Sequence, residues 1–360
     1  MKVRLLELAV LGEEWLGEID FDNLNSFMKD IGSDMTFYEL VLHIMEQGWG
    51  VESIADLVTW IREMLFSELQ ANKTLFLEII LITFCFSLLK NSIGTFGSSC
   101  ILDSCFLLVY CTLALLLINS VYIFQGIVTK TVGNSVNFMR MFVPCFCTGM
   151  IFSSNVYASA GFYQLAFIVI FFVERALETV LLPCVHIYIL LQICSHFFEE
   201  GAFENLADLV SSVVTWGLKM ATTAVFGLSV VQNLMNPIKD RMAQGSLGRA
   251  VSILPSVGDA VGSVGEVMLG AGMMIKNGIG IAGIVVLLFI GFGPVVKAGC
   301  MVFSYKLLAA VTEPLADKRI SGCMKGMSTG ALLYLNVMGY SLLLFFFTIA
   351  LAAGATSFEY

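Results

Sequence analysis

From Thr74 onward the chain is a succession of apolar runs, several long enough to cross a bilayer, and this restricts the fold more than any other feature. A spanning segment meets no water in the hydrocarbon core, so a helix that satisfies its own backbone is the economical solution. Ile101–Phe124 is the clearest such run. Of the whole chain 58% is hydrophobic and 13% charged, with mean hydropathy +0.87. A soluble chain carries roughly 25% charge. The expected class is an all-α, polytopic membrane protein.

The spans expected are Thr74–Leu89, Ile101–Phe124, Met139–Gly161, Phe162–Cys194, Leu209–Met235, Gly278–Pro294, Val295–Val311 and Gly330–Ala353, about eight in all. Phe162–Cys194 is too long for one straight crossing of a ~30 Å core at 1.5 Å per residue. It carries Glu174, Arg175 and Glu178 midway and Pro183 beyond, so a kinked or tilted element is expected, with the three charges as an internal ion cluster. GFGP at Gly291–Pro294 is read as a break between two short spans.

Charge divides the chain at about residue 72. Met1–Lys73 holds fourteen Asp/Glu against five Lys/Arg, and the remainder balances at fourteen each. The domains expected are therefore an acidic region over 1–72 and a membrane body over 73–355. Within the first, Phe21, Leu24 and Met28 form one helical stripe, and Phe37, Leu40, Val41 and Ile44 another, punctuated by Gly32, Gly48 and Gly50. Short amphipathic helices follow from that pattern. No basic tract suits nucleic acid. The ten cysteines form no C-x-x-C pair and lie mostly in apolar runs, as buried small side chains do. His186 and His196 each follow a cysteine by two residues, which on a helix puts the pair on different faces, so no metal or cofactor is expected.

Basic residues in loops set the expected orientation. Lys239, Arg241 and Arg249 lie in 236–250, and Lys318, Arg319 and Lys325 in 313–328, so both loops should be cytoplasmic. The acidic loop 195–206 and, counting back, the acidic region should be outside.

The stretch Ser252–Gly270, SILPSVGDAVGSVGEVMLG, stands apart from the oil around it. On a helical wheel Gly258, Gly262, Gly265 and Gly272 share an arc of roughly 80°. Asp259, Ser263 and Glu266 adjoin them, and Pro255 suits a first turn. Small residues let membrane helices approach closely, whereas two carboxylates are costly in lipid. An interfacial or re-entrant helix is expected, serving either close packing or the lining of a conduit.

The order NPIKDRMAQGSLGRAVSILPSVGDAVGSVGEVMLGAGMMIKNGIGIAG, followed by SYKLLAAVTEPLADKRISGCM, resembles the stage III sporulation protein AE family of endospore-forming bacteria. The resemblance runs from about Ser67 to Ala353 and is densest over Asn236–Cys323. It carries over to Pro255, Gly258, Asp259, Gly270, Lys276, Asn277, Gly280 and Gly283, then to Tyr305, Lys306, Pro314, Asp317, Lys318 and Arg319, with no catalytic role for any. It implies a multi-pass protein of the mother-cell membrane around the forespore. There it would join other products of its stage III operon and a forespore membrane partner in an oligomeric, secretion-like channel complex, a feeding tube that sustains late forespore gene expression. Family members usually begin with a signal-like apolar segment; Met1–Lys73 has none.

Three functions follow for weighing. The first is a permease-like or conduit-forming subunit of that complex. The second is a stand-alone ion-coupled secondary transporter using Glu174, Glu178, Lys219, Asp259, Glu266 or Lys306, although no clear internal repeat is present. The third, an intramembrane enzyme, has no HExxH, GxSxG or paired-Asp motif behind it, so no enzymatic activity is expected.

Overall fold

A computed structural model describes residues 15–33, 35–47, 67, 70, 73–74, 76–89, 99–152, 156–197, 203–251, 258–314 and 317–354. Among them every regular element is helical. Two short helices, α1 (Asp22–Asp30) and α2 (Phe37–Gln47), precede the apolar α3 (Phe76–Leu89). The body comprises α4 (Ser99–Phe152), α5 (Val156–Phe172), a π-helical stretch (Val173–Leu181), α6 (Leu182–Phe197), α7 (Glu204–Val251), α8 (Gly258–Thr312) and α9 (Lys318–Gly354).

The two head helices form as their stripes dictate. Leu24, Phe27 and Met28 of α1 and Phe37, Val41 and Ile44 of α2 are buried. Gly32, at φ +82°, takes the left-handed conformation that stops α1. The Gly32 N–H then donates to the Lys29 carbonyl and Ser33 N–H to that of Met28, the Schellman pairing. Thr36 and Glu39 form a reciprocal capping box at the start of α2. Asn25 Oδ1 accepts from Phe37 N–H at 3.0 Å, tying α1 to α2. The pair packs on the body: Phe27 on Phe138, Phe37 on Phe142, and the Cys145 thiol donates to the Asp20 carbonyl.

Four helical stretches are long and apolar enough to cross a membrane: Asp103–Ile151, Glu204–Gly227, Gly270–Thr312 and Lys318–Ala350. Their outward faces carry large apolar side chains, as at Leu108, Leu115, Trp216 and Phe289, all more than half exposed. Two expected breaks are absent. Ile101–Phe124 and the start of Met139–Gly161 fuse in α4, which runs on through Pro144. Gly278–Pro294 and Val295–Val311 fuse in α8, through Pro294. A proline costs an exposed helix ~3 kcal/mol, but neighbouring helices can absorb it in an apolar bundle. Ile290 and Ala298, one turn to either side of Pro294, are buried. The third expectation fares differently: α5, the π stretch and α6 are continuous, and the irregularity falls on the charged residues themselves, where Thr179 Oγ1 donates to the carbonyl of Glu174 five residues back.

Fusing α8 changes the topology. At one end of the bundle Tyr110 donates to the Ile193 carbonyl, His196 meets Gly322 and Arg319 lies over Phe106. The end of α6 and the start of α9 are therefore neighbours, not on opposite sides as the loop charges led us to expect. At the other end, the head end, Gly149 meets Lys276 and Ile279, Gly280 meets Ala353, and Phe226 of α7 meets Phe347. Residues 236–250 continue α7 past that level. Reading GFGP as a break added one crossing too many, which reversed the parity; the two basic segments lie toward opposite ends.

Candidate functional site

The glycine-rich motif leads to the head end. The backbone from Gly258 through Gly265 and Gly270 is the first part of α8, not a separate re-entrant helix. Pro255 lies outside the described residues, as do the side chains of Asp259 and Glu266. The motif's second half is fully placed. Lys276 is 1% exposed, in the layer where α8 crosses α4. A methyl built on Gly278 would stand 2.8 Å from Met45 Cγ of α2. One on Gly280 would stand 3.1 Å from the Phe146 ring and 3.3 Å from Ala353 Cβ, and one on Gly283 would collide with the Phe142 ring. These glycines seat α2, α4 and α9 against α8. The stacked rings of Phe138, Phe142 and Phe146 fill the space left by the missing side chains. Asn277 is half-buried beside them.

A second glycine seam lies at the opposite end and was not singled out in the sequence. Gly322, Gly326 and Gly330 recur every four residues on α9, against His196, Gln192 and Ile189 of α6. The spacing in GCMKGMSTG carries the signal. Around this seam buried and half-buried polar groups are paired: the His196 Nδ1–H donates to the Gln192 carbonyl at 2.9 Å, Gln192 Nε2 donates to Tyr188 Oη at 3.3 Å, and His186 Nδ1 lies 3.3 Å from Tyr334 Oη. Tyr305, from the second motif block, pairs with Ser120. In the same block Lys306, Pro314 and Lys318 are exposed and Asp317 is half-buried. Lys325 and Glu313 pair at 2.5 Å across the turn between α8 and α9. Cys184, beside His186, is half-buried and Cys194, beside His196, is exposed; among the described residues no three His, Cys, Asp or Glu side chains gather as metal ligands would.

The charges expected to cluster within one element instead draw on two. Arg140 of α4 donates to Glu174 at the start of the π stretch. Glu178 is partly buried nearby and Arg175 is exposed. Arg140 had no place in the expected cluster because its partner lies 34 residues away in sequence. Beside this pair a groove of about 490 Å³ opens, lined by Val143, Pro144, Tyr163, Phe167 and Phe171 among others.

Comparison with known proteins follows the same blocks. The family described as stage III sporulation protein AE matches residues 35–356, from just before α2 to just past the end of α9. Stage III sporulation protein AE of Bacillus subtilis (strain 168) is 23% identical over 358 residues, covering 96% of this chain and 88% of that protein. No solved structure matches. The match takes in α2, both glycine seams and the charged π stretch in one order, and the chain belongs to the stage III sporulation protein AE family, a family of sporulation proteins.

Proposed function

We propose that this protein is a membrane subunit of the channel complex joining mother cell to forespore during endospore formation, conduit-forming or permease-like, and that it supports late forespore gene expression. The observation that carries this reading is the family match over residues 35–356, which takes α2 and the membrane body together as one unit. Its partners in this reading are the other stage III operon products and a forespore membrane protein, and its site is the mother-cell membrane around the forespore. The packing of α1 and α2 on α4 and α8 supports their acting as parts of one subunit. The acidic region 1–72 then serves as a docking surface for partners, and 73–355 as the membrane body.

Removal of the gene from its endospore-forming host, with a late forespore promoter driving a reporter, tests this. The expected result is normal engulfment followed by loss of reporter signal, restored by the intact gene. Undiminished signal without the gene overturns the reading. The alternative, a stand-alone ion-coupled transporter, draws on Lys276, a cation buried in an apolar helix. Ion-driven solute uptake by the purified protein alone in liposomes would favour it.

A further inference from the structure

The groove beside Arg140 and Glu174 lies near the head-end border of the hydrocarbon core, by two independent measures. α5, the π stretch and α6 run from the head end to the opposite end. A methyl built on Gly217, near the middle of the Glu204–Gly227 span, would stand 3.6 Å from Leu181 of the π stretch. Glu174 precedes Leu181 by seven residues, about 10 Å toward the head end at 1.5 Å per residue. Phe171 and Phe167 then stand about 15 and 21 Å from the middle, at the edge of a ~30 Å core and just beyond it. The head sets the same level. Phe27 of α1 packs on Phe138, two residues from Arg140, while Asp22, Lys29 and Asp30 of α1 are exposed and need water. Toward this level the exposed positions of α4 turn polar, at Lys130, Asn137 and Arg140, where Leu115 and Tyr122 stood earlier in the helix.

The groove itself is two-natured. Arg140 Nη2 meets Glu174 Oε2 in one contact, and the two side chains are 51% and 43% exposed, which leaves further guanidinium N–H groups and Glu174 Oε1 open to a ligand. Pro144, in the groove wall, has no N–H to give the Arg140 carbonyl one turn back, so an acceptor stands at the same place. The rest of the wall is apolar, with the rings of Tyr163, Phe167 and Phe171 each more than half exposed. Aromatic side chains gather where hydrocarbon gives way to headgroups. At about 490 Å³ the groove falls within the roughly 300–1,000 Å³ usual for small-molecule sites.

A cation and an anion side by side over an apolar wall complement a zwitterionic amphiphile. An anionic headgroup would meet Glu174 as a like charge. A dry protein contact would strip water from the ion pair, a cost that mutual attraction often fails to recover. A choline headgroup has no N–H to donate.

We propose that this groove binds a phospholipid whose zwitterionic headgroup carries a primary ammonium, phosphatidylethanolamine. Its phosphate accepts from the Arg140 guanidinium, and its ammonium donates to the Glu174 carboxylate and the Arg140 carbonyl. An acyl chain lies along Phe167 and Phe171. Because Arg140 belongs to α4 and Glu174 to the π stretch, the lipid clamps the two elements together at the level where the head packs. The site is built from this chain's own residues and does not depend on what any complex conducts.

Native mass spectrometry of the full chain, released from detergent with equimolar dioleoyl phosphatidylethanolamine, phosphatidylglycerol and phosphatidylcholine, tests it. Phosphatidylethanolamine should be retained over each of the others by about fivefold or more, the scale of one charge-assisted hydrogen bond at a half-exposed site. Glu174→Gln keeps the shape and leaves Arg140 an uncompensated cation, so it should reverse the order in favour of phosphatidylglycerol. Phe167→Ala removes an exposed ring and should lower retention of all three without changing their order. Lys130→Gln, outside the groove, should change nothing. Equal retention of the three lipids by the unaltered chain overturns the proposal, because the groove is then ordinary lipid-facing surface. A preference that survives Glu174→Gln overturns it as well, because the selection is then made elsewhere. A benzophenone side chain at position 167, photoactivated in membranes of sporulating cells, identifies the occupant in place. Crosslinking to lipid is expected; crosslinking to protein alone overturns the proposal, since a partner then fills the groove.

Discussion

The two glycine seams solve the same packing problem with different partners. At the head end Gly278, Gly280 and Gly283 of α8 receive Met45, Phe146 and Phe142, rigid aromatic or long apolar groups held by two other helices, α2 and α4. At the opposite end Gly322, Gly326 and Gly330 of α9 receive His196, Gln192 and Ile189 from α6 alone. A glycine's value is set by what occupies its missing side chain. At Gly283 the occupant is a ring stacked between Phe138 and Phe146, with nowhere to go. At Gly322 it is the tip of an imidazole near a helix end, which can swing aside. Close approach is common to both seams, but only the head-end seam joins the head to the body.

The largest effect tests whether the seams lie at opposite ends of a membrane-crossing bundle. Cysteines at Ser246, on the continuation of α7, and at Lys325, beside the second seam, should be reached by impermeant reagents from opposite faces of the membrane. Labelling of both from the same face would restore the break at GFGP and with it two spans in place of α8.

The next test grades the seams against each other. Gly283→Ala forces a methyl into the Phe142 ring and should cost about 1–3 kcal/mol, the usual range for overpacking. Gly322→Ala should cost less, because His196 can turn away. Gly339→Ala meets nothing within 4 Å and should be neutral or stabilising by up to about 1 kcal/mol, the difference in helix propensity. Thermal unfolding in detergent micelles ranks the three. Equal losses at 283 and 322 would abolish the distinction drawn here. Phe142→Leu should recover part of the Gly283→Ala loss if the ring is the obstacle.

The smallest effect concerns the head alone. The Thr36 backbone N–H, then its hydroxyl, hold the Glu39 carboxyl below the usual carboxylate range. A carboxyl whose folded value is depressed stabilises the fold above its unfolded value and loses that contribution as pH falls through the folded one. Amide exchange in the first turn of α2 should therefore quicken on acidification below the carboxylate range. Glu39→Gln should exchange faster at neutral pH and lose that dependence; an unchanged profile would remove the capping box from the account of how α2 is held.

Part of this was legible beforehand because it is local. The stripes at Phe21, Leu24 and Met28 and at Phe37, Val41 and Ile44 are periodicities within single helices, and they became the buried faces of α1 and α2. Charges at 174, 175 and 178 marked the place where one long helix departs from α geometry. Arg140 was invisible as a partner of Glu174, since nothing nearby in sequence pairs them. Pro294 misled for a related reason: a proline signal reports the cost of continuing a helix, and packing on both sides of α8 outweighs it.

The sequence by itself determined that this protein is helical, membrane-grade, acidic at its start and built from the ordered blocks of its family, because composition and periodicity act residue by residue. Tertiary structure alone decided which helices run unbroken, which ends meet and which face of α4 stays polar. Those outcomes depend on what stands across each contact, a Phe142 ring facing Gly283 or an imidazole facing Gly322, and contacts between residues far apart in the chain leave no mark on the local pattern of either partner.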